Sequence, residues 1–361
     1  MGAPASASHG REEAGNGRRM RDEMGEQPAV LARLVSSRNE TAELVRAIAP
    51  RPLSGVLLLA RGSSDNAALH ARYLMELTTQ KPAGLVAPSL WTRYHASTSL
   101  AGWLVVAVSQ SGRTPEISTA VTRMSSAGAR VLSVTNDEDS ALAEGSDGVV
   151  GIRAGEEVAV PATKTVTASI LALAHIAAAL GQVPWAAKEE SLLPVHVAEV
   201  LDDKESVERA LDAVQDRETI HVGRGYTYSV AMESALKLEE TTTRGARGYA
   251  CEDFLHGPIA AAGPQTAAIG YAAAGPTYSD VTAVLSKIRR TGVITVLVTD
   301  MPRPPRGAGN CAFLPVPPGL PEPLVAILLM VRAQQFAYLA ALRAGLDPDR
   351  PEGLNKITTT H

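Results

Sequence analysis

The sequence predicts an α/β fold built from two tandem doubly wound units, each a parallel sheet flanked by helices. Short, continuous apolar runs alternate along the chain with segments of helical spacing. Such runs are typical of strands that are buried on both faces of a parallel sheet. The same order of strands and helices recurs in the second half of the chain, although no close sequence repeat is visible. A length of 361 residues suffices for two domains of ordinary size.

The N-terminal part precedes the first unit. Residues 1–22 are rich in Ala, Ser, Gly and Arg without periodicity, so we expect a disordered leader. Residues 23–50 carry apolar side chains at helical spacing and end at Pro50, which predicts an N-terminal helix.

The first α/β unit is predicted over residues 51–195. Its apolar runs predict strands at Val56–Ala60, Leu104–Val108, Arg130–Val134 and Gly148–Ile152. Its helical segments cover residues 65–79, 115–127 and 163–180.

The second unit is predicted over residues 196–345, and residues 346–361 form a polar C-terminal tail. The strands expected in this unit are Thr219–Val222, Ala267–Ala273, Ile294–Thr299 and Cys311–Val316. The expected helices cover residues 198–213, 228–243, 278–290 and 322–344.

Charge and hydropathy argue against two classes of protein. Lys and Arg number 34 against 38 Asp and Glu, a formal charge of −4, and aromatic residues make up only 4%. A nucleic-acid binder needs a basic face, so this balance argues against one. The longest apolar runs, Ser169–Leu180 and Leu324–Val331, fall short of the ~18–20 residues that a membrane helix requires.

Targeting and metal signals are also lacking in the sequence. Residues 1–21 contain no apolar segment of a secretion signal. Two cysteines allow no disulfide framework, and no histidine has a partner at metal-ligand spacing, so no metal site is predicted. We therefore expect a cytoplasmic enzyme or sensor.

The strongest candidate for chemistry is the segment Ser109–Pro115, with the sequence SQSGRTP, between a predicted strand and a predicted helix. Thr114 suits the N-cap of that helix, and Pro115 suits its first position. Hydroxyl groups, backbone N–H groups and the positive end of the helix converge there, which favours a bound phosphate. The alternative is a Ser-rich capping turn without a ligand.

A turn of the same kind, Arg61–Asp65, follows the first predicted strand. Alone it is a plain turn, but both turns follow strands of one sheet, and ligands of open α/β sheets bind at that edge. The sequence lacks the glycine-lysine motif of P-loop NTPases and a complete dinucleotide motif after the first strand. A nucleotide site is therefore not predicted.

A second candidate lies on the helix predicted over residues 228–243. Glu233, Lys237 and Glu240 are spaced i, i+4 and i+7, so they share one face of the helix. Such a face is either solvated and ion-paired through Glu233 and Lys237, or part of an acid–base site.

The third candidate is His256, which is followed by the turn-forming pair Gly257-Pro258. A lone histidine beside turn formers is either structural or exposed. It is also a candidate proton carrier, because imidazole titrates near neutral pH.

Together these segments resemble the tandem SIS (sugar isomerase) proteins. The chain looks most like the isomerase half of glucosamine-6-phosphate synthase and the stand-alone SIS-type amino-sugar-phosphate deaminases and isomerases. The resemblance covers about residues 20–361. It is carried, in the order of the family, by Met24–Pro28, Arg61–Ser64, Ser109–Thr114, Ala154–Glu156, Ala162–Lys164, Gly223–Gly225, Glu233–Glu240, His256–Pro258 and Leu354–Lys356.

The resemblance implies where a phosphorylated sugar would bind. Val160 and Ala162 match positions that line the sugar, and the family often has serine at the second of them, so Ala162 removes one hydroxyl. The residues that match the sugar-phosphate pocket are Ser64, Ser109, Gln110, Ser111 and Thr114.

The resemblance also implies catalytic roles, without a metal or organic cofactor. Glu240 matches the catalytic acid/base and Lys237 a lysine near the sugar ring. His256 matches the histidine that assists ring opening from a neighbouring subunit, which implies a homodimer with shared active sites. Lys356 matches the lysine of a C-terminal tail that folds over the substrate.

Within the family we expect a deaminase that converts an amino-sugar 6-phosphate, such as glucosamine 6-phosphate, to a ketose 6-phosphate and ammonia. The ending Leu354–Thr358 looks more like the deaminases than the synthases, and the sequence shows no glutaminase domain. One alternative is a ketose–aldose isomerase or an ammonia-dependent aminating enzyme, which could use a separate glutaminase subunit. Another is a non-catalytic sugar-phosphate sensor.

Overall fold

A computed structural model describes residues 16–302 and 311–356 of the chain. It begins with three consecutive helices, α1 (Arg18–Gly25), α2 (Gln27–Ser36) and α3 (Arg38–Ile48). The leader expected over residues 1–22 is therefore helical from Arg18 onward, and residues 1–15 lie outside the described residues. The single helix expected over 23–50 is instead divided at Glu26 and Ser37.

The described part of the first unit contains a sheet of parallel strands with helices on its faces. The strands are β1 (Gly55–Leu59), β2 (Ala83–Leu85), β3 (Trp103–Val108), β4 (Arg130–Thr135) and β5 (Gly148–Gly151). The helices are α4 (Ser63–Thr79), α5 (Pro88–Thr92), α6 (Pro115–Ser126), α7 (Ala141–Glu144) and α8 (Lys164–Leu180).

The second unit follows three connecting helices, α9 (Ala187–Glu190), α10 (Leu193–Asp202) and α11 (Lys204–Val214). The boundary expected between residues 195 and 196 falls inside α10. The strands of this unit are β6 (Glu218–Gly223), β7 (Ala246–Ala250), β8 (Thr266–Ala272), β9 (Ile294–Thr299) and β10 (Ala312–Pro315). Its helices are α12 (Tyr226–Thr242), α13 (Cys251–Leu255), α14 (Tyr278–Arg289) and α15 (Glu322–Arg343), with a 3₁₀ turn over Pro258–Ala261.

Both sheets have the same topology. The first has the strand order β2-β1-β3-β4-β5, and the second has β10-β9-β8-β6-β7, which is the same order when each unit is counted from its own first strand. All the strand pairs are parallel. The expectation of two doubly wound α/β units with parallel sheets is confirmed.

The sequence analysis missed β2 and β7, which are edge strands at equivalent positions of the two sheets. An edge strand has a neighbour on one side only and needs no continuous apolar run. β2 has three residues, and β7 includes Arg247 and Gly248, so neither stands out by hydropathy.

The helix α15 is the centre of the second unit. It has a mean hydropathy of 1.6 in its most apolar window, which makes it the one helix of the described residues that could span a bilayer by length and composition. However, 94% of that window is buried inside the protein. The apolar stretch is longer than the run Leu324–Val331 suggested, and it forms a core rather than a membrane segment.

We expect Leu328→Ala in α15 to lower the free energy of unfolding by about 2–5 kcal/mol, because it leaves a cavity in the core. Leu328 is 0% exposed, whereas Leu77 in α4 is 61% exposed and offers a matched control. Leu77→Ala should change the free energy by about 0.5 kcal/mol or less. Urea denaturation of both variants tests this, and equal losses would contradict the burial of α15.

Candidate active site

Two loops meet at the carboxyl edge of the first sheet. One joins β1 to α4 and the other joins β3 to α6, and β1 and β3 are adjacent strands. The chain leaves these two strands in opposite directions, since β1 leads to one sheet edge and β3 to the other. Ligands of open α/β sheets bind at such a switch point. The N-termini of α4 and α6 both face this place, as anion sites require.

Hydrogen bonds within the loop Ser109–Thr114 stabilise its conformation. The hydroxyl of Ser109 accepts from the backbone N–H of Gly112, and that of Ser111 accepts from the backbone N–H of Arg113, each at 3.2 Å. Gly112 has φ +60°, and a Cβ there would lie 1.9 Å from the hydroxyl of Ser140, so only glycine fits.

Thr114 occupies the N-cap position of α6, and Pro115 takes its first turn, as predicted. The side chain of Thr114 makes no capping hydrogen bond. A simple capping turn therefore does not account for its hydroxyl, which lines the cavity described below.

The helix α12 brings Glu233, Lys237 and Glu240 to the same edge, but not as a solvated face. The side chains of Glu233 and Lys237 are 0% and 1% exposed, while that of Glu240 is 21% exposed. The Lys237 ammonium donates to Glu240 and lies 3.5 Å from Glu233. The interpretation of this face as a solvent-exposed ion pair is wrong, because α12 lies between α4 and α15.

Glu233 also connects the two units. Its carboxylate accepts a 2.7 Å hydrogen bond from the amide of Asn66 in α4. Its other oxygen, Oε1, is buried without a hydrogen-bond partner. A buried carboxylate of α12 in the second unit is therefore bound to the first turn of α4 in the first unit.

Burial and charge act in opposite directions on this cluster. Burial raises the pKa of Glu233 above its ordinary value, and the nearby Lys237 only partly offsets this. Burial would lower the pKa of Lys237, but the carboxylates of Glu233 and Glu240 outweigh it, and that pKa is raised. Lys237 is therefore a permanently charged ammonium group at neutral pH.

A second ion pair attaches the C-terminal tail. Lys356 donates to Glu157 at 2.6 Å, and the side chain of Glu157 is 0% exposed. Glu157 also accepts from the backbone N–H groups of Thr163 and Thr165, at 2.9 and 3.2 Å, where α8 begins. A carboxylate interacts favourably with the positive end of a helix dipole. Glu157 therefore stabilises the N-terminus of α8 and also binds the C-terminal tail through Lys356.

These elements enclose a cavity of about 400 Å³. Every predicted site residue except His256 lines it, namely Ser64, Ser109, Gln110, Ser111, Thr114, Val160, Ala162, Lys237, Glu240 and Lys356. The hydroxyl groups come from the first unit, and the acid and one amine come from the second. The cavity thus combines neutral hydroxyl groups near two helix N-termini with a partly exposed carboxylate and two ammonium groups.

His256 does not line this cavity. It follows the last residue of α13 and is exposed at the surface of the chain. The structure of one chain therefore does not bring His256 to the other predicted catalytic groups.

The sequence analysis missed several groups at the site. Arg61, Leu354 and Asn355 line the cavity without a role having been predicted for them. Glu157, the partner of Lys356, was also missed, because it follows another glutamate and only burial distinguishes the two. Lys356 lies 199 residues after Glu157, so no local sequence pattern indicates that the two residues pair.

Comparison with known proteins places the chain among sugar-phosphate proteins. The family model of the SIS domain matches residues 54–179 and again 214–344. An isomerizing glutamine–fructose-6-phosphate aminotransferase of Zymomonas mobilis is 31% identical over 367 residues, which cover 96% of this chain and 60% of the relative. The enzyme of the same name from Gloeobacter violaceus is 32% identical over 320 residues, 85% of this chain and 52% of the relative. The chain thus spans little more than half the length of these relatives.

Solved structures show the same fold. A candidate phosphosugar isomerase of Silicibacter pomeroyi has a TM-score of 0.80 and 28% identity, and covers 92% of this chain and 99% of its own. The C-terminal domain of a glucosamine-fructose-6-phosphate aminotransferase from Francisella tularensis has a TM-score of 0.82 and 23% identity, with 96% and 100% covered. A glucosamine-6-phosphate deaminase of Thermotoga maritima has a TM-score of 0.71 and 21% identity, with 92% and 100% covered. The last two identities show a shared fold alone.

The ion pair of Glu157 predicts a pH dependence of stability. Burial raises the pKa of Glu157, but Lys356 and the hydrogen bonds at α8 together outweigh it, so its pKa lies below the usual 4.5. A carboxyl group with a lowered pKa stabilises the folded state above its unfolded pKa, and this contribution is lost as the pH falls through the folded value. We expect the difference in unfolding free energy between the wild type and Glu157→Gln to be constant from neutral pH down to about 5 and to shrink below about 4.5.

Denaturation curves between pH 3 and 7 measure this difference. The matched control is Glu156→Gln, because Glu156 is the preceding residue in the chain and its side chain is exposed. A difference for Glu157→Gln that grows as the pH falls would contradict the assignment.

Proposed function

The chain belongs to the SIS domain family, and from that premise we propose that it deaminates an amino-sugar 6-phosphate, releasing a ketose 6-phosphate and ammonia. The observation that carries this proposal is the cavity itself. It places the hydroxyl-lined loops of the first unit opposite Lys237 and Glu240 of the second. It thus combines a subsite for phosphate with a partly exposed carboxylate beside an ammonium group.

The phosphate would bind at the loops that follow β1 and β3. Ser64, Ser109, Gln110, Ser111 and Thr114 line this end of the cavity, together with the N-termini of α4 and α6. Such loops bind phosphate through side-chain hydroxyls and backbone N–H groups. Anchoring the phosphate orients the sugar, so that binding energy far from the reacting carbons lowers the barrier.

Glu240 would carry the proton transfer. In the open-chain amino sugar, its carboxylate takes the proton from C2 while the C1 oxygen takes a proton from water, which gives an enolamine. The same carboxyl group then returns its proton to C1, and the nitrogen gives a proton back to water as the imine forms. The C2 imine that results reacts with water to give the ketone and ammonia. Lys237 lies beside Glu240, where its ammonium group stabilises charge that develops on the substrate oxygen. Val160, Ala162 and Lys356 also line the cavity. We assign the first two to the sugar subsite, and Lys356 to the tail that would cover the sugar.

Ring opening needs a proton carrier, and we assign this to His256 of a second subunit in a homodimer. His256 is exposed and lies outside the cavity of its own chain, which supports a contribution to a neighbour. Neutral imidazole is suited to move a proton near physiological pH. The proposed proton transfers require no metal or organic cofactor. We also propose that the protein is located in the cytoplasm.

The names of the relatives support a second candidate function. Their names describe isomerizing aminotransferases and, among solved structures, phosphosugar isomerases. The same proton transfer between C1 and C2 would serve an isomerase, or an aminating enzyme supplied with ammonia by a separate glutaminase subunit. A sensor that only binds the sugar phosphate would not need the pair of Lys237 and Glu240 inside its cavity.

We expect ammonia release from at least one amino-sugar 6-phosphate in a panel that varies the sugar. Glu240→Gln should lower kcat by about 10²–10⁴-fold, because it removes the group that transfers the proton. Glu239→Gln is the matched control, since Glu239 is the neighbouring residue on α12 and its side chain is exposed. Its kcat should stay within twofold of the wild type.

The outcomes of this assay separate the candidates. Ketose 6-phosphate formed from an aldose 6-phosphate without ammonia would replace the deaminase by an isomerase. Binding without turnover would favour the sensor. Equal activity of Glu240→Gln and the wild type would refute the role of Glu240.

Mixing two inactive variants tests the shared active site. A heterodimer of Glu240→Gln and His256→Asn contains one site with an intact Glu240 and an intact His256 from the partner. After unfolding and joint refolding of equal amounts, about a quarter of all sites should be complete, because random pairing makes half of the dimers mixed. Activity is the readout, and each variant refolded alone is the control. No recovery, with dimers present by size-exclusion chromatography, would place His256 and Glu240 of one chain in the same site.

A further inference from the structure

The cavity has an uneven distribution of positive charge. Among the described residues that line it, the cationic side chains are Arg61, Lys237 and Lys356. Each of these cations has a carboxylate partner: Glu116 for Arg61, Glu240 for Lys237 and Glu157 for Lys356. The side chain of Arg61 is 45% exposed, whereas those of the two lysines are 1% and 21% exposed. The serine, threonine and glutamine side chains of the loops after β1 and β3 are neutral. Arg61 is the cation that accompanies them.

Arg61 connects the two loops at the phosphate end. It is the residue before Gly62, Ser63 and Ser64, in the loop that leads from β1 to α4. Its guanidinium group binds Glu116, in the first turn of α6, through Nε at 3.1 Å and Nη2 at 3.2 Å. The pair therefore joins the start of α4 to the start of α6 across the cavity end.

The geometry of this pair leaves arginine donors for a ligand. A guanidinium group has five N–H donors in a fixed fork, and Glu116 uses two of them. The side chain of Arg61 is 45% exposed, whereas that of Glu116 is 9% exposed. Glu116 thus fixes the orientation of a guanidinium group whose remaining donors are accessible.

A phosphate at this end binds more strongly to a charged hydrogen-bond donor than to neutral hydroxyl groups. The hydroxyl groups carry none, and the N-termini of α4 and α6 each supply only a partial charge. Glu116 adds a negative charge in the first turn of α6, which by itself would repel a phosphate. Arginine neutralises this carboxylate and offers a planar fork that matches phosphate oxygens.

We propose that Arg61 is the cationic ligand of the phosphate subsite, and that Glu116 is the residue that positions it. This inference rests on the proposed function in that it takes the ligand to be a phosphate ester bound at the loops after β1 and β3. It adds a specificity role: Arg61 selects phosphorylated sugars over their unphosphorylated forms.

Calorimetric titration of the full chain with inorganic phosphate tests this assignment. We expect Arg61→Gln to raise the Kd for phosphate by about 10-fold to 100-fold, the loss expected for a charge-assisted hydrogen bond. KM for the phosphorylated substrate should rise by a similar factor with kcat little changed. The matched control is Arg130→Gln, because Arg130 is 49% exposed and forms an ion pair with Asp147 in the same unit. It does not line the cavity and should leave Kd unchanged.

A double variant separates direct binding from the repulsion of an unpaired Glu116. If Arg61 binds phosphate, Arg61→Gln with Glu116→Gln should remain weak in binding. Recovery of the wild-type Kd in the double variant would show that Arg61 serves only to neutralise Glu116, and would overturn the proposal. Equal Kd values for Arg61→Gln and Arg130→Gln would also overturn it.

The controls distinguish this failure from failure of the proposed function. If the wild-type chain binds phosphate but Arg61→Gln does not raise the Kd, only the assignment of Arg61 is wrong. If the wild-type chain neither binds phosphate nor turns over any sugar phosphate, the proposed function fails and this inference with it. Melting temperatures of all the variants show whether each is folded.

Discussion

A buried ammonium group, that of Lys237, is the constraint on which the rest of the site depends. An unpaired charge in a protein interior is costly, so its partners must lie in fixed places. Glu233 and Glu240 supply these partners from the same helix. Because Glu233 in turn accepts a hydrogen bond from Asn66 of α4, the partners of this one lysine also connect the two units. The start of α4 and the cavity-lining face of α12 are thereby fixed relative to each other.

Much of the fold could be predicted because parallel strands buried on both faces have a distinct pattern. Strands β3 and β9 are apolar along most of their length, and the predicted bounds of the latter match the structure. The edge strands β2 and β7 were not predicted, because a strand with a neighbour on one side only needs no continuous apolar run. The division of this segment at Glu26 and Ser37 was also missed, since apolar spacing alone does not show where one helix ends and the next begins.

The site was predictable where the chain repeats a local chemical pattern, and less so where it depends on burial. The Ser109–Thr114 loop combines hydroxyls, glycine and a helix start within a few residues, so its place could be inferred. The face of α12 was ambiguous, because a spacing of i, i+4, i+7 is the same for a solvated and for a buried helix. Only packing against α4 and α15 decides between them. The pairing of Lys356 with Glu157 spans 199 residues and has no signature in the sequence.

The two ends of the described chain are joined, and this has a mechanical consequence. The backbone N–H groups of Arg19 and Met20 in α1 donate to the carboxylate of Asp349, at 2.9 and 2.8 Å. The carbonyl of Asp349 accepts from the N–H of Val160, which lines the cavity. Asp349 lies seven residues before Lys356, in the same C-terminal segment. Through this one residue, α1 is therefore connected both to the segment that carries Lys356 and to a residue of the cavity wall, so removing α1 should loosen the C-terminal side of the cavity.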